Sequence, residues 1–455
     1  MLTKTLFQSG IFCQKRLWYE VHEPHAPELA PDAQTRWNFR QGQEVTLAAR
    51  SRVPDAQYEA TIQAAHLHSR VDILESLGDD AYALIEVKGS NEIKIEHKWD
   101  VAFQRHVAAA AGIDVARTEL MYLNRECRHP DLEPLFLRKD VSADIAPLVA
   151  QVPTLAAEYL AVLEGPLPGD SRNAHCGDCP FYGRCWPQER FRVNRFHRMK
   201  WSEKLELERA GAESFTQVPK EKKLTAIQRR QQESAFTGSL VVEPSLGSAL
   251  NAWNGPLVYL DFETVAFAIP RFLGTTPWTK IPVQYSAHRE EGAEHRHLYF
   301  LAEDGDDPRR ALAESLVAHC AGEGSVVTYH ASFEQGRLRE LADAVPELRG
   351  PLMHIHDRVV DLQPIVERHV YHPDFLGSFS LKVVLPTLCP EVTYKGLAIS
   401  DGSTAQLELA RLLYSPEQMS TEDRGTLRLA LLAYCERDTW AMVALHRKLQ
   451  SLAGL

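Results

Sequence analysis

Cysteine is scarce in this sequence, eight among 455 residues. A small secreted scaffold stapled by disulfides needs a far denser framework, so that class is excluded. No apolar run of about 18 residues is present to cross a bilayer as a helix. The opening stretch MLTKTLFQSGIFCQKRLWYE also lacks the uninterrupted apolar segment of a signal peptide. The expectation is a cytoplasmic protein with no membrane contact, whose clustered thiols read as metal ligands or redox groups. Repeats of fixed period and low-complexity tracts are missing, which sets aside solenoids and disordered arrays. Positive charge is in deficit: 50 Lys+Arg stand against 61 Asp+Glu, for a net charge of -11. Taken alone, that balance argues against a chain coated by nucleic acid.

What is present is an ordinary globular composition, 44% hydrophobic and 24% charged, long enough at about 150 residues per domain for two large units and a connector. Residues 1–188 mix strand and helix patterns and end in a Cys-rich knot. Residues 189–254 read as a basic helical connector. From LVYLDFET onward, residues 255–455 alternate strand and helix patterns as an α/β domain does. Between Arg184 and Arg230 there are 13 Lys/Arg and 6 Asp/Glu. Solvated helix faces explain such a stretch as readily as a phosphate-tracking surface. LERAGAESF followed by KEKKLT has the faint pattern of a helix-hairpin-helix, resting on a single glycine turn.

In HLHSRVDILESLGDDAYALIEVKGS two β-rich runs flank Gly78, Asp79 and Asp80, a hairpin turn. Asp72 and Glu86 have their midpoint at position 79, so closing the hairpin there sets the two carboxylates near cross-strand register. Glu86 and Lys88 project from one face of their strand. Two carboxylates and an ammonium at one spot suit a hard divalent cation beside a scissile phosphate; a plain surface charge cluster is the alternative. The arrangement resembles the PD-(D/E)xK nuclease core in its RecB-like branch, which implies a catalytic triad of Asp72, Glu86 and Lys88. DVAFQRHV resembles that branch's glutamine motif and puts Gln104 on the following helix, although Ala108 stands where the branch usually has tyrosine. In FRQGQEVTLAAR, Thr46 occupies the place of the branch's metal-binding histidine, which leaves Glu44 as the substitute candidate.

CGDCPFYGRCW supplies Cys176, Cys179 and Cys185, and Cys13 in FCQKRLWYE is a candidate fourth ligand. Four thiolates suit zinc or iron-sulfur alike. The split of one plus three around a PD-(D/E)xK core resembles the AddB-type and CRISPR-associated RecB-like exonucleases. That resemblance implies a [4Fe-4S] cluster on Cys13, Cys176, Cys179 and Cys185, with Zn2+ as the alternative. The nearby aromatics Phe181, Tyr182 and Trp186 suit base stacking or core packing equally. Cys127, Cys320, Cys389 and Cys435 read as buried thiols.

LVYLDFETV is a β run that sets Asp261 and Glu263 on one strand face. In LLAYCERDTWAMVALH, Tyr434 and Asp438 share a helix face, and in YHASFEQGRL Glu334 lies near a helix start. Four such carboxylates can surround two cations while Tyr434 orients a water. The order DFET, YHASFE, VVDLQPIVERHV, GSFSLKVVLP, YCERD resembles the DnaQ-like 3'-5' exonucleases whose last motif is Tyr-x3-Asp, an RNase H-like fold. That resemblance implies Asp261, Glu263, Glu334 and Asp438 as metal ligands. The second motif departs from the family's pattern, with Glu334 and His330 where aspartate and an asparagine-containing turn are usual, while Asp361 reads as a supporting acid or a helix cap.

The resemblances together imply a dual nuclease acting on DNA ends or single strands, with Mg2+ or Mn2+ at both sites and RNA open as a substrate. The rivals are one catalytic domain beside a nucleic-acid-binding one, or a non-catalytic scaffold of a repair or defence complex. Protein partners are not indicated. Seven of the 61 acidic residues are candidate ligands whose charge bound cations would offset, so the location of charge outweighs its sum.

Overall fold

The computed structural model describes residues 1–455. The chain forms two compact mixed α/β units. One comprises Met1–Cys185 with Ala266–Thr279, the other Trp186–Val265 with Lys280–Leu455. Residues 189–254 thus fall within the second unit. No single helix is long and apolar enough to cross a membrane.

In the first unit the order is β1 (Leu2–Thr3), α1 (Lys4–Phe12), α2 (Gln14–His22), α3 (Ala33–Arg50), β2 (Gln57–Ala64), β3 (Leu67–Gly78) and β4 (Ala81–Lys88). Then come α4 (Ile95–Ala110), β5 (Asp114–Leu123), β6 (Phe136–Asp140), α5 (Ser142–Val149), α6 (Val152–Glu164) and α7 (Tyr182–Cys185). The sheet runs β1-β3-β4-β5-β6, with β2 also paired to β3. The β3–β4 turn uses left-handed backbone at Gly78, Asp79 and Asp80, a conformation that glycine and aspartate accept at low cost. Every residue of β4 from Ala83 to Val87 is buried, so this strand is covered on both faces. Leu84 packs into the core with Phe7 of α1 and Phe103 of α4. Ala83, Ile85 and Val87 join the core beneath α3, with Val45, Ala49 and Ala268. Strand alternation therefore sends Glu86 to the α1/α4 side.

In the second unit the helices are α8 (Trp201–Arg209), α9 (Ala226–Thr237), α10 (Leu246–Leu250), α11 (Arg309–Cys320), α12 (Ala331–Ala344), α13 (Arg349–Asp357), α14 (Leu362–His369), α15 (Leu381–Leu388), α16 (Gly402–Tyr414) and α17 (Thr421–Ala453). The strands are β7 (Val241–Val242), β8 (Val258–Ala266), β9 (Lys280–Glu291), β10 (Glu294–Leu301), β11 (Val326–Thr328), β12 (Val359–Asp361) and β13 (Val370–Tyr371). The main sheet runs β10-β9-β8-β11-β12. β10 and β9 are antiparallel, while β8, β11 and β12 are parallel. Along the central strand β8, Val258, Leu260 and Phe262 enter the core against α11, α12 and α13. Tyr259 enters the other core, with Ala441, Met442 and Leu445 of α17. Asp261 and Glu263 continue the Tyr259 series and so face α17.

Candidate functional site

The densest group of acids lies where β8 meets α17. Carboxylate oxygens of Asp261, Glu263 and Asp438 lie within 4.8 Å of one another. α17 presents Tyr434 and Asp438 one turn apart on its buried face. Burial, and then the neighbouring acids, push the carboxyls of Asp261 and Glu263 well above the usual range. Burial raises Asp438 as well, and burial with the Asp261 charge raises Glu334. Glu334 sits in the first turn of α12 with its Oε2 enclosed and unpartnered. That α12 start is built by Asp361, whose carboxylate accepts the N–H groups of His330, Ala331 and Gln363. Asp361 is therefore the cap that holds His330 in left-handed backbone at φ 87, which aims α12 and Glu334 at the centre.

Two residues that the spacing argument did not single out complete this centre. Lys382 of α15 donates to the Tyr434 hydroxyl at 2.8 Å, and its charge reaches Asp261, Glu263 and Asp438. Tyr394 donates to Asp438 Oδ1 at 2.5 Å. Lys382 lies inside the GSFSLKVVLP motif, so a signal for it existed. Tyr394 had none, because the segment before α16 is irregular.

In the first unit the β3–β4 ladder pairs Ile73 with Ile85 and Leu74 with Leu84, a register that continues to Asp72 opposite Glu86. There the strands part, and β4 goes on paired with β5. Asp72 Oδ2 accepts the Val87 N–H at 2.8 Å in place of a ladder partner. Glu86 is held from three sides: Lys4 at 2.6 Å, Lys88 at 2.9 Å and Gln104 Nε2 at 2.6 Å. Lys88 also bonds Asp100, one turn before Gln104 on α4. Burial opposes ionisation of Glu86, but the Lys88 and Lys4 charges outweigh it and hold the carboxyl below the usual range. Asp72 shifts upward, first from burial and then from the Glu86 charge. Lys4 escaped the motif reading because it lies 82 residues from Glu86, brought there by β1 pairing beside Leu67 and His68 of β3. Asp100 was findable from its helical spacing to Gln104.

A cavity of about 660 Å³ opens over Asp72 and Glu86, walled by Phe39, Gly42, Thr46 and Leu47 of α3. Glu44 is not part of it. One residue of α-helix turns about 100°, so the face carrying residues 42, 43, 46, 47 and 50 leaves Glu44 pointing elsewhere, where it meets Arg271 at 3.3 Å. The structure therefore corrects the expectation that Glu44 joins the Asp72–Glu86 pair.

The four clustered cysteines are free thiols brought together by the two ends of their sequence span. Cys179 has Cys13 and Cys185 as neighbours, and Cys185 has Cys13 and Cys176, near enough that a thiolate on one would raise the thiol of the next. Asn173 ties the ends by donating its side chain to Phe12 O at 3.1 Å and its N–H to Cys176 Sγ at 3.2 Å. Arg184 adds ion pairs to Glu23 and Glu28 and lies over the Tyr19 and Phe181 rings. Burial pushes the Cys179 thiol up to about 11. Phe181 and Trp186 are fully buried, which leaves core packing as their role. Cys127, Cys320, Cys389 and Cys435 are buried singly elsewhere.

Residues 258–380 match a domain of unknown function (DUF2779). The uncharacterized protein MG366 homolog of Mycoplasma pneumoniae is 28% identical over 210 residues, covering 42% of this chain and 31% of that one. The uncharacterized protein UU173 of Ureaplasma parvum serovar 3 is 25% identical over 223 residues, covering 43% and 31%. The chain spans about a third of the length of these relatives, 31% in each case. Among solved structures, the crystal structure of SSO0001 aligns with TM-score 0.27 and 18% identity, covering 40% of this chain and 84% of that one. The stretch similar to DUF2779 contains Asp261, Glu263 and Glu334, whereas Tyr434 and Asp438 lie beyond it.

Proposed function

We propose that the protein is a metal-dependent nuclease that degrades or trims DNA ends or single strands, with an RNase H-like, DnaQ-type 3'-5' exonuclease centre in the second unit. The observation that carries this reading is the convergence of Asp261, Glu263 and Asp438 beside one ammonium, that of Lys382, with Glu334 near enough to feel the Asp261 charge. Carboxylates raised first by burial and, for Asp261, Glu263 and Glu334, then by neighbouring acids, one with an orphaned oxygen, have the hard donor set that Mg2+ or Mn2+ takes. These four residues would hold the metal, which supplies Lewis-acid stabilisation of the phosphoryl oxygens and a more acidic water. Tyr434 accepts from Lys382 and donates to Asp438, so its hydroxyl is fixed to orient a water, and Lys382 offers positive charge to the transferred phosphate.

The first unit supports a second centre, of PD-(D/E)xK type, through the Asp72–Glu86 register and the convergence of Lys88 and Gln104. Asp72 and Glu86 would hold a cation once Lys4 releases Glu86, and Lys88 supplies charge beside the scissile phosphate. Cys13, Cys176, Cys179 and Cys185 have the free sulfurs and the N–H···S bond that suit a [4Fe-4S] cluster with a structural role.

The test uses 5'- and 3'-labelled DNA and RNA strands with Mn2+ or EDTA. Asp261→Asn is expected to abolish shortening from the 3' end, and Lys88→Ala to abolish whatever cleavage remains. Degradation that survives both substitutions sinks the site assignments, and no metal-dependent degradation by the unaltered protein favours the scaffold reading. Preference for RNA over DNA would move the substrate class. A brown protein that loses broad absorbance near about 400 nm in Cys179→Ser supports iron-sulfur, whereas a colourless zinc protein overturns it.

A further inference from the structure

The second unit carries a basic surface that neither set of carboxylates uses. Between the loop 216–224 and α9 lies a cavity of about 540 Å³ lined by Lys220, Lys222, Lys223, Arg229, Gln232 and Phe236, among others. Its walls are fixed by the sequence around them. α9 starts in a reciprocal cap, with Thr225 accepting the Gln228 N–H and Gln228 accepting the Thr225 N–H. Its inward face is pinned by Gln228 on His197 O, Gln231 on Arg195 O and Arg230 on Glu367 O. Arg229 and Phe236, seven apart, are thereby turned to the outside. The opposing loop is anchored by buried Phe215, stacked on Phe196 at 4.2 Å, and Gln232 donates across to Phe215 O at 2.9 Å.

The charges in this groove are largely uncommitted. Lys222 pairs with Glu203 at 2.8 Å, but Lys220, Lys223 and Arg229 are exposed and form no ion pair. The acid in the lining is Glu221. Phe236 is 66% exposed, an apolar ring standing beside three free cations. Cations that track phosphates next to an exposed aromatic face make the combination that holds single strands. In a duplex each base face is covered by its neighbour, and opening a step costs a few kcal/mol, so this ring favours an unpaired base.

We propose that this groove binds a single nucleic-acid strand, with phosphates on Lys220, Lys223 and Arg229 and an unpaired base on Phe236. The proposal rests on the nuclease reading for its choice of nucleic acid among polyanions, but binding here needs neither set of carboxylates.

The experiment is fluorescence anisotropy of the full chain with a 5'-labelled oligothymidylate in EDTA, over a series of KCl concentrations. The joint variant Lys220→Ala, Lys223→Ala, Arg229→Ala is expected to bind more weakly and to flatten the slope of log affinity against log salt by about 2, at roughly 0.7 per phosphate released. Phe236→Ala is expected to weaken oligothymidylate about tenfold or more with the slope unchanged, while binding of inorganic polyphosphate stays as it was. All four side chains are exposed, and circular dichroism melting checks that the variants fold alike. Unchanged binding in both variants overturns the proposal, as does competition by blunt duplex or polyglutamate as strong as by the single strand. Asp261→Asn with Lys88→Ala separates the two readings: loss of cleavage with intact anisotropy belongs to the carboxylates alone. Loss of strand binding in the groove variants with cleavage of short strands retained belongs to the groove alone.

Discussion

On the proposed metal-dependent reading, Glu334 is the side chain at which protonation, metal binding and stability would be coupled. Its carboxyl is raised by burial and by the Asp261 charge, so the folded chain holds this proton more tightly than the unfolded chain does. Between the ordinary carboxylate range and the raised folded value the native state binds more protons, and metal-free stability therefore falls as pH rises through that window. A cation bound at the proposed carboxylate site would reverse the penalty. Mn2+ is expected to raise the melting temperature clearly near about pH 8 and little near about pH 5. Glu334→Gln is expected to raise the metal-free melting temperature at the higher pH and to blunt the response to Mn2+. A metal response equal at both pH values and unchanged in the variant would refute this account. Tyr434→Phe keeps the ring but removes the hydroxyl between Lys382 and Asp438, so strand shortening is expected to slow by about 10²-fold, measured as kcat, with the Mn2+-induced rise in melting temperature retained. Retained kcat would remove Tyr434 from the chemistry. At this scale much was legible: the midpoint of Asp72 and Glu86 falls on a turn of residues that accept left-handed backbone, and Tyr434 and Asp438 sit one helical turn apart. Lys4 and Tyr394 were not legible, since each reaches its acid through tertiary packing that no local spacing encodes.

Elements that position these side chains can be tested through their glycines. Gly377, in left-handed backbone at φ 83, precedes α15, and an added Cβ would lie 2.0 Å from Arg195 O. Neither backbone can yield cheaply, so Gly377→Ala is expected to cost about 2 kcal/mol or more and to lower activity by displacing Lys382. Gly336, inside α12 with open space around it, is the counterpart. There Gly336→Ala is expected to stabilise by about 0.5–1 kcal/mol through helix propensity. Chemical denaturation measures both, and equal effects would show that the close approach at Gly377 relaxes. β8 was readable as an apolar run buried on both faces, and α17 because no Gly or Pro interrupts its helix formers between residues 426 and 453. The stretch 189–254 was harder. Its apolar residues Val193, Phe196, Leu207 and Phe215 form a small core of their own, but they sit on short turns and a short helix among charges, where no period can build up.

At the scale of the whole molecule, the chain path matters more than the count of domains. After Val265 the chain leaves the second unit, contributes Ala266–Thr279 to the first, and returns at Lys280. In the first unit that segment accepts Trp37 Nε1–H at Ala266 O, donates Ala268 N–H to Gln41, and donates Trp278 Nε1–H to Gly89 O. Ala268 is fully buried in the core beneath α3. Nothing in AFAIPRFLGTTPWT announces this, because a loop between two strands reads locally as a connection within one domain. The segment braces α3, the wall of the cavity over Asp72 and Glu86: without residues 267–278, Gln41 loses its Ala268 partner and the core beneath α3 loses buried Ala268 and the Trp278 anchor on Gly89. Replacing residues 267–278 with a flexible Gly/Ser stretch is therefore expected to speed amide hydrogen exchange through α3 and to abolish the cleavage that depends on Lys88. Cleavage that depends on Asp261 should survive wherever β8 and β9 keep their protection. Unaltered exchange in α3 would mean that the first unit folds and works without the segment. Loss of protection in β8 and β9 together with α3 would mean instead that the two units unfold as one.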